Sequence, residues 1–266
     1  MSPELPLKQK LKLFRQSVYA ALSFRGHVPV GVKDHPLGAV ITVSGMRVYA
    51  PSPLRWKLYR KGWQARLDQL EREYGVGRHI KLTPGKIILD IGANAGEFAH
   101  VAARHGARIY CLEPDPRVYA CLLSNTEGLT DCAAFDTLVW KEETDLPFYS
   151  APDRADSSVF DEGQGPQLTK HAITVEKFCA ENGITHIDLL KCDAEGAEPE
   201  VLEGAGAMLR NISVIALDTG AERKGQRTNE QCRKILEANG FTVIDEQVGK
   251  RLMTYGVNPA AKDRAQ

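Results

Sequence analysis

No stretch of the 266 residues approaches the roughly 20 consecutive apolar residues of a membrane span, and the front of the chain lacks a signal peptide's apolar centre and small-residue cleavage site. A membrane-spanning or exported protein is therefore not expected. The six cysteines (Cys111, Cys121, Cys132, Cys179, Cys192 and Cys232) show no C-x-x-C spacing, and they read as buried, reduced thiols of a cytoplasmic protein. Neither sign of charge prevails, with 34 basic against 34 acidic side chains and no basic block, which argues against nucleic acid as the main partner. Disorder is excluded as well: at 43% apolar residues the chain can bury one full core, enough for a single α/β domain with an extension.

What the chain does have is centred on KIILDIGANAG, Lys86 to Gly96. Ile87, Ile88 and Leu89 run into Asp90, and the Gly92/Gly96 loop opens on a helical pattern from Glu97 to His105. Strand, turn and helix in that order make a ligand cradle, since glycines admit close approach and a helix N-terminus offers unpaired N–H groups. The glycines are not spaced G-x-G-x-x-G, which disfavours hydride chemistry, and Gly96 is followed by Glu97 and Phe98 rather than by the Lys-Ser/Thr of a triphosphate loop. An acid ending the strand instead suits a cationic ligand such as S-adenosylmethionine, with its sulfonium and ammonium groups. The next strand, Arg108 to Leu112, ends in Glu113, a carboxylate able to accept both ribose hydroxyls of an adenosyl group. Asp90, Gly92, Asn94, Gly96 and Glu113 are thus the candidate cofactor residues, against the plainer reading of the two acids as caps or solvated side chains.

Around this core the chain parses as follows. Leu7 to Phe24 sets Leu7, Leu11, Phe14, Val18, Tyr19 and Leu22 at helical spacing behind Lys8, Lys10, Lys12 and Arg15. Such a basic amphipathic helix packs on the domain or a second copy, or meets a membrane surface or acidic partner. Gly38 to Pro51 reads as a hairpin turning at Ser44-Gly45, and Trp63 to Tyr74 as a helix. Residues 1–80 are taken as a cap, lid or oligomer contact, 81–258 as the catalytic domain and 259–266 as a tail. From Lys86 on, strand and helix patterns alternate, as in a parallel sheet. A third strand falls within Leu129 to Trp140, with Asp136 and Thr137 placed to contact an adenine. The polar stretch Lys141 to Gly165 reads as a mobile loop, its part from Pro152 to Pro166 as a lid, and Ser157 and Ser158 either as ordinary turn residues or as hydroxyl donors to the cofactor. Ile187 to Leu190 runs into KCDAEGAE, placing Asp193 and Glu195 at a strand end before a helix from Glu200 to Leu209. Ile212 to Leu217 ends in Asp218, Thr228 to Asn239 is helical, and FTVIDEQ and RLMTYGV form a closing hairpin.

The segments DIGANAGEFA, EPDPRVYACLLSN, SSVF, TVEKF and IDLLKCDAEGAEPEVLEGA together resemble the FkbM family of class I methyltransferases, over about Val76 to Val257. The resemblance implies a Rossmann-like α/β fold, a mostly parallel seven-stranded sheet with helices on both faces and a C-terminal antiparallel hairpin. It also implies methyl transfer to a hydroxyl of a sugar, polyketide or other specialised metabolite. Thr137-Leu138-Val139-Trp140 departs from the family's short Ala-Leu segment, and Asp218 stands where Glu is common. A hydroxyl must lose its proton, so Asp193 and Glu195 are the candidate catalytic residues, with His171 a weaker one. Asp193 beside Asp218 is either a base whose proton affinity its neighbour raises, or part of a Mg²⁺ site. Methylation of an amine, and a cofactor-binding scaffold without turnover, stay open as alternatives.

Overall fold

The computed structural model describes residues 5–22, 24–151, 153, 157–160 and 166–264. Ahead of the sheet come α1 (Leu7–Ala21), the strands β1 (Val30–His35), β2 (Gly38–Val43) and β3 (Met46–Ala50), a 3-10 segment (Pro53–Tyr59) and α2 (Trp63–Glu73). The expected hairpin is the β2/β3 pair, and β1 adds to it as a third antiparallel strand.

The alternation then begins with β4 (Ile87–Ile91), α3 (Glu97–Arg104), β5 (Arg108–Leu112), α4 (Pro116–Thr126) and β6 (Cys132–Phe135). A small second sheet follows, built from β7 (Leu138–Val139), β8 (Thr144–Tyr149) and β9 (Gln167–Ile173) in the order β7-β9-β8. The chain closes with α5 (Val175–Glu181), β10 (Ile187–Cys192), α6 (Glu198–Ala205), β11 (Ile212–Asp218), α7 (Asn229–Ala238), β12 (Thr242–Val248) and β13 (Arg251–Val257). The main sheet is seven-stranded, ordered β12-β13-β11-β10-β4-β5-β6. It is parallel except for β13, which runs antiparallel to both β11 and β12.

Alternate residues of the central strands feed two cores. Ile88, Ile109, Leu189 and Val214 point to the face covered by α2, α3 and the N-terminal strands, whereas Leu89, Leu112, Leu190 and Ile215 point to the face under α5, α6 and α7. The first core runs unbroken from Val30 to Tyr255, so residues 30–80 pack as part of one body with the sheet. β10 is buried at all six positions. Its two charged residues are paired, Asp188 with Lys86 at 2.8 Å and Lys191 with Asp90 at 2.5 Å.

The third strand expected within Leu129 to Trp140 is β6 of the main sheet, and β7 of the small sheet falls in the same stretch. Two sequence expectations need correction. Lys141 to Gly165 is not wholly a loop, since β8 forms there and pairs with β9 through Thr144–Ala172 to Tyr149–Gln167; most of the expected lid between 152 and 166 lies outside the described residues. The helix after β10 starts at Glu198 rather than Glu200, because the buried Glu198 carboxylate accepts from the N–H groups of Ala194 and Gly196 and so closes that turn.

Candidate active site

The carboxyl ends of β4, β5, β10 and β11 converge on two cavities that share Gly92, Asn94, Ser158, Asp193 and Glu195. The narrower, about 60 Å³, is a mostly apolar slot walled by Pro114, Val118, Leu138, Val139, Phe148 and Val159, with Glu113 and Thr137 at its polar edge. The wider, about 730 Å³, takes one wall from the N-terminal segment through Arg55, Lys57, Leu58 and Tyr74, and the other from Lys191, Glu222 and Arg251.

The loop after β4 is drawn against its neighbours by backbone bonds. The N–H groups of Gly92 and Ala93 both donate to the Leu112 carbonyl at 3.0 Å. Gly92, at φ +71°, has no room for a side chain: a Cβ would lie 1.9 Å from the Asp193 carbonyl oxygen. Gly96, at φ +84°, is closed off by Leu122 and Thr126. The bare faces of both glycines serve contacts within the protein, and Gly92 also lines both cavities. Asn94 is left-handed at φ +54°; its N–H donates to Glu113 Oε2 at 2.9 Å, and its Oδ1 accepts from Arg55 Nη1 at 2.5 Å.

Glu113 is buried at the lip of the slot, with Oε1 accepting from the Asp115 N–H at 2.9 Å. Burial pushes its carboxyl up to about 7, against those two N–H groups. Asp115 caps α4 through Oδ1, while its Oδ2 accepts the hydroxyls of Ser150 and Ser157, tying the small sheet to the cofactor side of the main one. The Asp-Pro opening of α4 signals this cap in the sequence.

Not every candidate lies at a cavity. Asp136 does not reach the slot; it is about half exposed and pairs with Lys170 on β9 at 2.6 Å. Thr137 does line the slot. Ser158 lines both cavities, but its hydroxyl donates to the Glu195 carbonyl at 3.0 Å and accepts from the Phe160 N–H at 3.2 Å. Asp90 is fully buried behind the loop, where the Lys191 ammonium supplies the cation the sequence reading sought in a ligand. His171 sits exposed on β9, paired with Asp145.

Asp193 and Asp218 do end adjacent strands. Between them lies a residue that sequence reasoning missed: Arg251 Nη1 donates to Asp193 Oδ2 at 2.7 Å and to Asp218 Oδ2 at 2.5 Å. Met253 of β13 pairs with Asp218, so Arg251, two residues earlier on the same strand face, reaches both acids. The Tyr74 hydroxyl completes the cluster with a bond to Asp193 Oδ2 at 2.9 Å. Burial alone would raise Asp193, but the charges of Arg251 and Lys191 outweigh it and hold the carboxyl down to about 2, the reverse of the expected rise. Burial and the charge of Asp193 push Asp218 up to about 6. Burial, then the charges of Asp193, Glu195 and Asp218, push the Glu222 carboxyl far above the usual range, so Glu222 is a neutral donor at neutral pH. Asp193 Oδ1 and Glu222 Oε2 are buried without a hydrogen-bond partner among the described residues.

Ligand atoms of Asp193, Asp218 and Glu222 lie within 4.8 Å of one another, a set that suits a hard divalent ion by composition. Arg251 already engages Oδ2 of each aspartate, so a guanidinium charge is in place at this cluster. No helix of the described residues is long and apolar enough to cross a membrane.

Over 151 residues the chain is 30% identical to the 2-O-methyltransferase NoeI of Sinorhizobium fredii (strain NBRC 101917 / NGR234), covering 50% of this chain and 62% of that protein, less than two thirds of its length. Over 210 residues it is 26% identical to the 31-O-demethyl-FK506 methyltransferase FkbM of Streptomyces tacrolimicus, covering 64% of this chain and 78% of the relative. Among solved structures, the Aeropyrum pernix fibrillarin complex with S-adenosyl-L-methionine aligns at a TM-score of 0.48 and 15% identity, over 86% of this chain and 99% of that one. The methyltransferase FkbM domain profile matches residues 90–243, more than half of the sequence and every strand from the end of β4 into β12. By that match the chain belongs to the FkbM methyltransferase family.

Proposed function

We propose that the protein transfers a methyl group from S-adenosylmethionine to a hydroxyl of a small-molecule acceptor. The observation that carries this reading is the junction of the two cavities at Asp193 and Glu195, with Glu113 at the end of the slot and a buried cation, Arg55, in the wider chamber. The cofactor supplies an activated methyl on a sulfonium. Glu113 has a lone pair left on each oxygen for the ribose hydroxyls, and the slot's apolar walls suit an adenine. Arg55 is 7% exposed, and its Nη2 has no hydrogen-bond partner among the described residues. That donor suits the cofactor's carboxylate.

On the acceptor side, Asp193 Oδ1 is the free carboxylate atom at the junction, placed to orient the hydroxyl. At about 2 its carboxyl is a weak base in the free protein, whereas Asp218, at about 6, stands near the working pH. The proton leaving the hydroxyl is therefore received by the coupled pair rather than by Asp193 alone. Arg251 supplies the positive charge an ion would bring, so the reading uses no metal. Both relatives carry oxygen as the methylated atom in their names, which supports a hydroxyl over an amine. The six unpaired cysteines fit a reducing cytoplasm, and the balanced charge fits a small-molecule acceptor better than nucleic acid.

Methyl-labelled cofactor incubated with hydroxylated sugars and macrocycles, with mass spectrometry of the products, tests the reading. A methyl ether is expected, unaffected by excess chelator, and Asp193→Asn should lower kcat about 10²-fold or more with cofactor affinity nearly intact. An N-methyl product, or binding without turnover on any acceptor, would replace the reading.

A further inference from the structure

Apart from Leu13, which is partly buried against the core, the leucines of α1 and its Phe14 and Val18 lie on the wrong side for a helix that packs on its own protein. Leu7, Leu11, Phe14, Val18 and Leu22 recur at steps of four, three, four and four, one line along the helix, and they are 40–74% exposed. The side turned to the body is anchored by a polar group instead: Gln16 is buried, and its amide donates to the carbonyls of Val28 at 2.8 Å and Arg60 at 2.9 Å. At 3.6 residues per turn, Gln16 stands opposite the stripe.

Cations border that stripe on both sides. Lys8, Lys12 and Arg15 lie on one flank and Lys10 on the other, and no acid occurs from Leu5 to Lys33. Lys12 and Arg15 share a groove with Lys57 and Arg60 of the neighbouring 3-10 turn, so the basic surface continues past the helix. Burial and the charges of Lys12 and Arg60 push the Lys57 ammonium down, as expected where cations are crowded. Lys57 also lines the wider cavity, which therefore opens beside this surface.

We infer that α1 is a docking helix for an anionic lipid surface, lying in the plane of the headgroups with its stripe turned into the acyl boundary. The stripe spans about 22 Å at 1.5 Å per residue and bears no polar residue, and flanking cations at headgroup level are what such a helix presents. A second copy of the chain fits less well, because a symmetric pairing on the stripe would set two cationic borders against each other without an acid between them.

Co-sedimentation of the full chain with phosphatidylcholine vesicles, with and without phosphatidylglycerol, tests the inference. The protein should pellet with the anionic vesicles only, and high salt should release it. Leu11→Glu with Phe14→Glu should cut partitioning roughly tenfold or more, and Lys8→Gln with Lys12→Gln about fivefold for each charge removed. Both pairs are exposed, so the melting temperature should hold in each variant. The inference is overturned if the protein stays in the supernatant, if the variants partition like the parent, or if sedimentation velocity shows a dimer that Leu11→Glu dissociates. Because the test uses no cofactor or acceptor, it stands apart from the catalytic reading.

Discussion

Arg55 commits one guanidinium nitrogen to Asn94 and keeps the other, Nη2, buried at the wider cavity. A buried donor without an acceptor costs about 1–3 kcal/mol, a cost that an incoming carboxylate removes. Calorimetry with S-adenosylhomocysteine and with 5′-methylthioadenosine, which lacks the amino-acid end, isolates that contact. Arg55→Met should weaken the first about tenfold or more and leave the second within roughly twofold, since a charged hydrogen bond contributes about 1.5–3 kcal/mol. Equal losses for both ligands would reassign Arg55 to holding the loop. Residues of this kind were only partly legible in the sequence. Asp90, Glu113 and Asp193 announce themselves by ending strands, but the cations that two of them meet are distant in the chain: Lys191 is 101 positions from Asp90, and Arg251 of the antiparallel strand β13 is 58 from Asp193. Local pattern carries no record of which cation a carboxylate will meet. The lysine that faces Asp90 was nonetheless within reach, because Lys191 and Asp90 are paired in register on adjacent parallel strands.

Among the elements, the loop between β4 and α3 depends on the absence of one carbon. Gly92→Ala would place a methyl 1.9 Å from the Asp193 carbonyl at a φ of +71°, so the β4 and β10 ends must separate. Chemical denaturation should show a loss of about 2–4 kcal/mol, with cofactor affinity falling as well. Loss of less than about 1 kcal/mol, the cost of an alanine in a left-handed turn with room to spare, would mean that the strand ends yield easily. The parallel core was readable because buried central strands are short apolar runs set between glycine turns and amphipathic helices. β8 and β9 were not. Thr144 to Tyr149 carries a proline and an acid, Gln167 to Ile173 a lysine and a histidine, and both strands leave half their residues to solvent. Their pairing is long-range, and composition alone disguised it as a loop. β7, at two residues, is too short for any periodicity to register.

For the whole molecule, buried carboxylates shape how stability follows pH. Glu97 is buried between Tyr59 and Arg66, and although burial alone would raise it, the charges of Arg66 and Arg55 hold it down to about 2. Its stabilisation is full above about 4.5 and is lost as pH falls toward 2, since the unfolded chain takes up the proton first, a term on the order of 3 kcal/mol. Glu113 and Glu198 go the other way: burial lifts both to about 7, so the folded state keeps protons that the unfolded one has released, and stability declines as pH rises from about 4.5 to 7. The melting temperature should therefore peak in mild acid, and Glu97→Gln should flatten the fall below pH 4.5 while lowering the peak; an acid limb unchanged in that variant would place the dependence elsewhere. The guanidinium between Asp193 and Asp218 bears on synthesis too. Arg251 follows both aspartates in the chain, so a nascent chain holds the glycine loop and the parallel strands before Asp193 and Asp218 meet their shared cation. A product terminated ahead of β13 thus keeps Asp193 and Asp218 at neighbouring strand ends without the guanidinium that joins them.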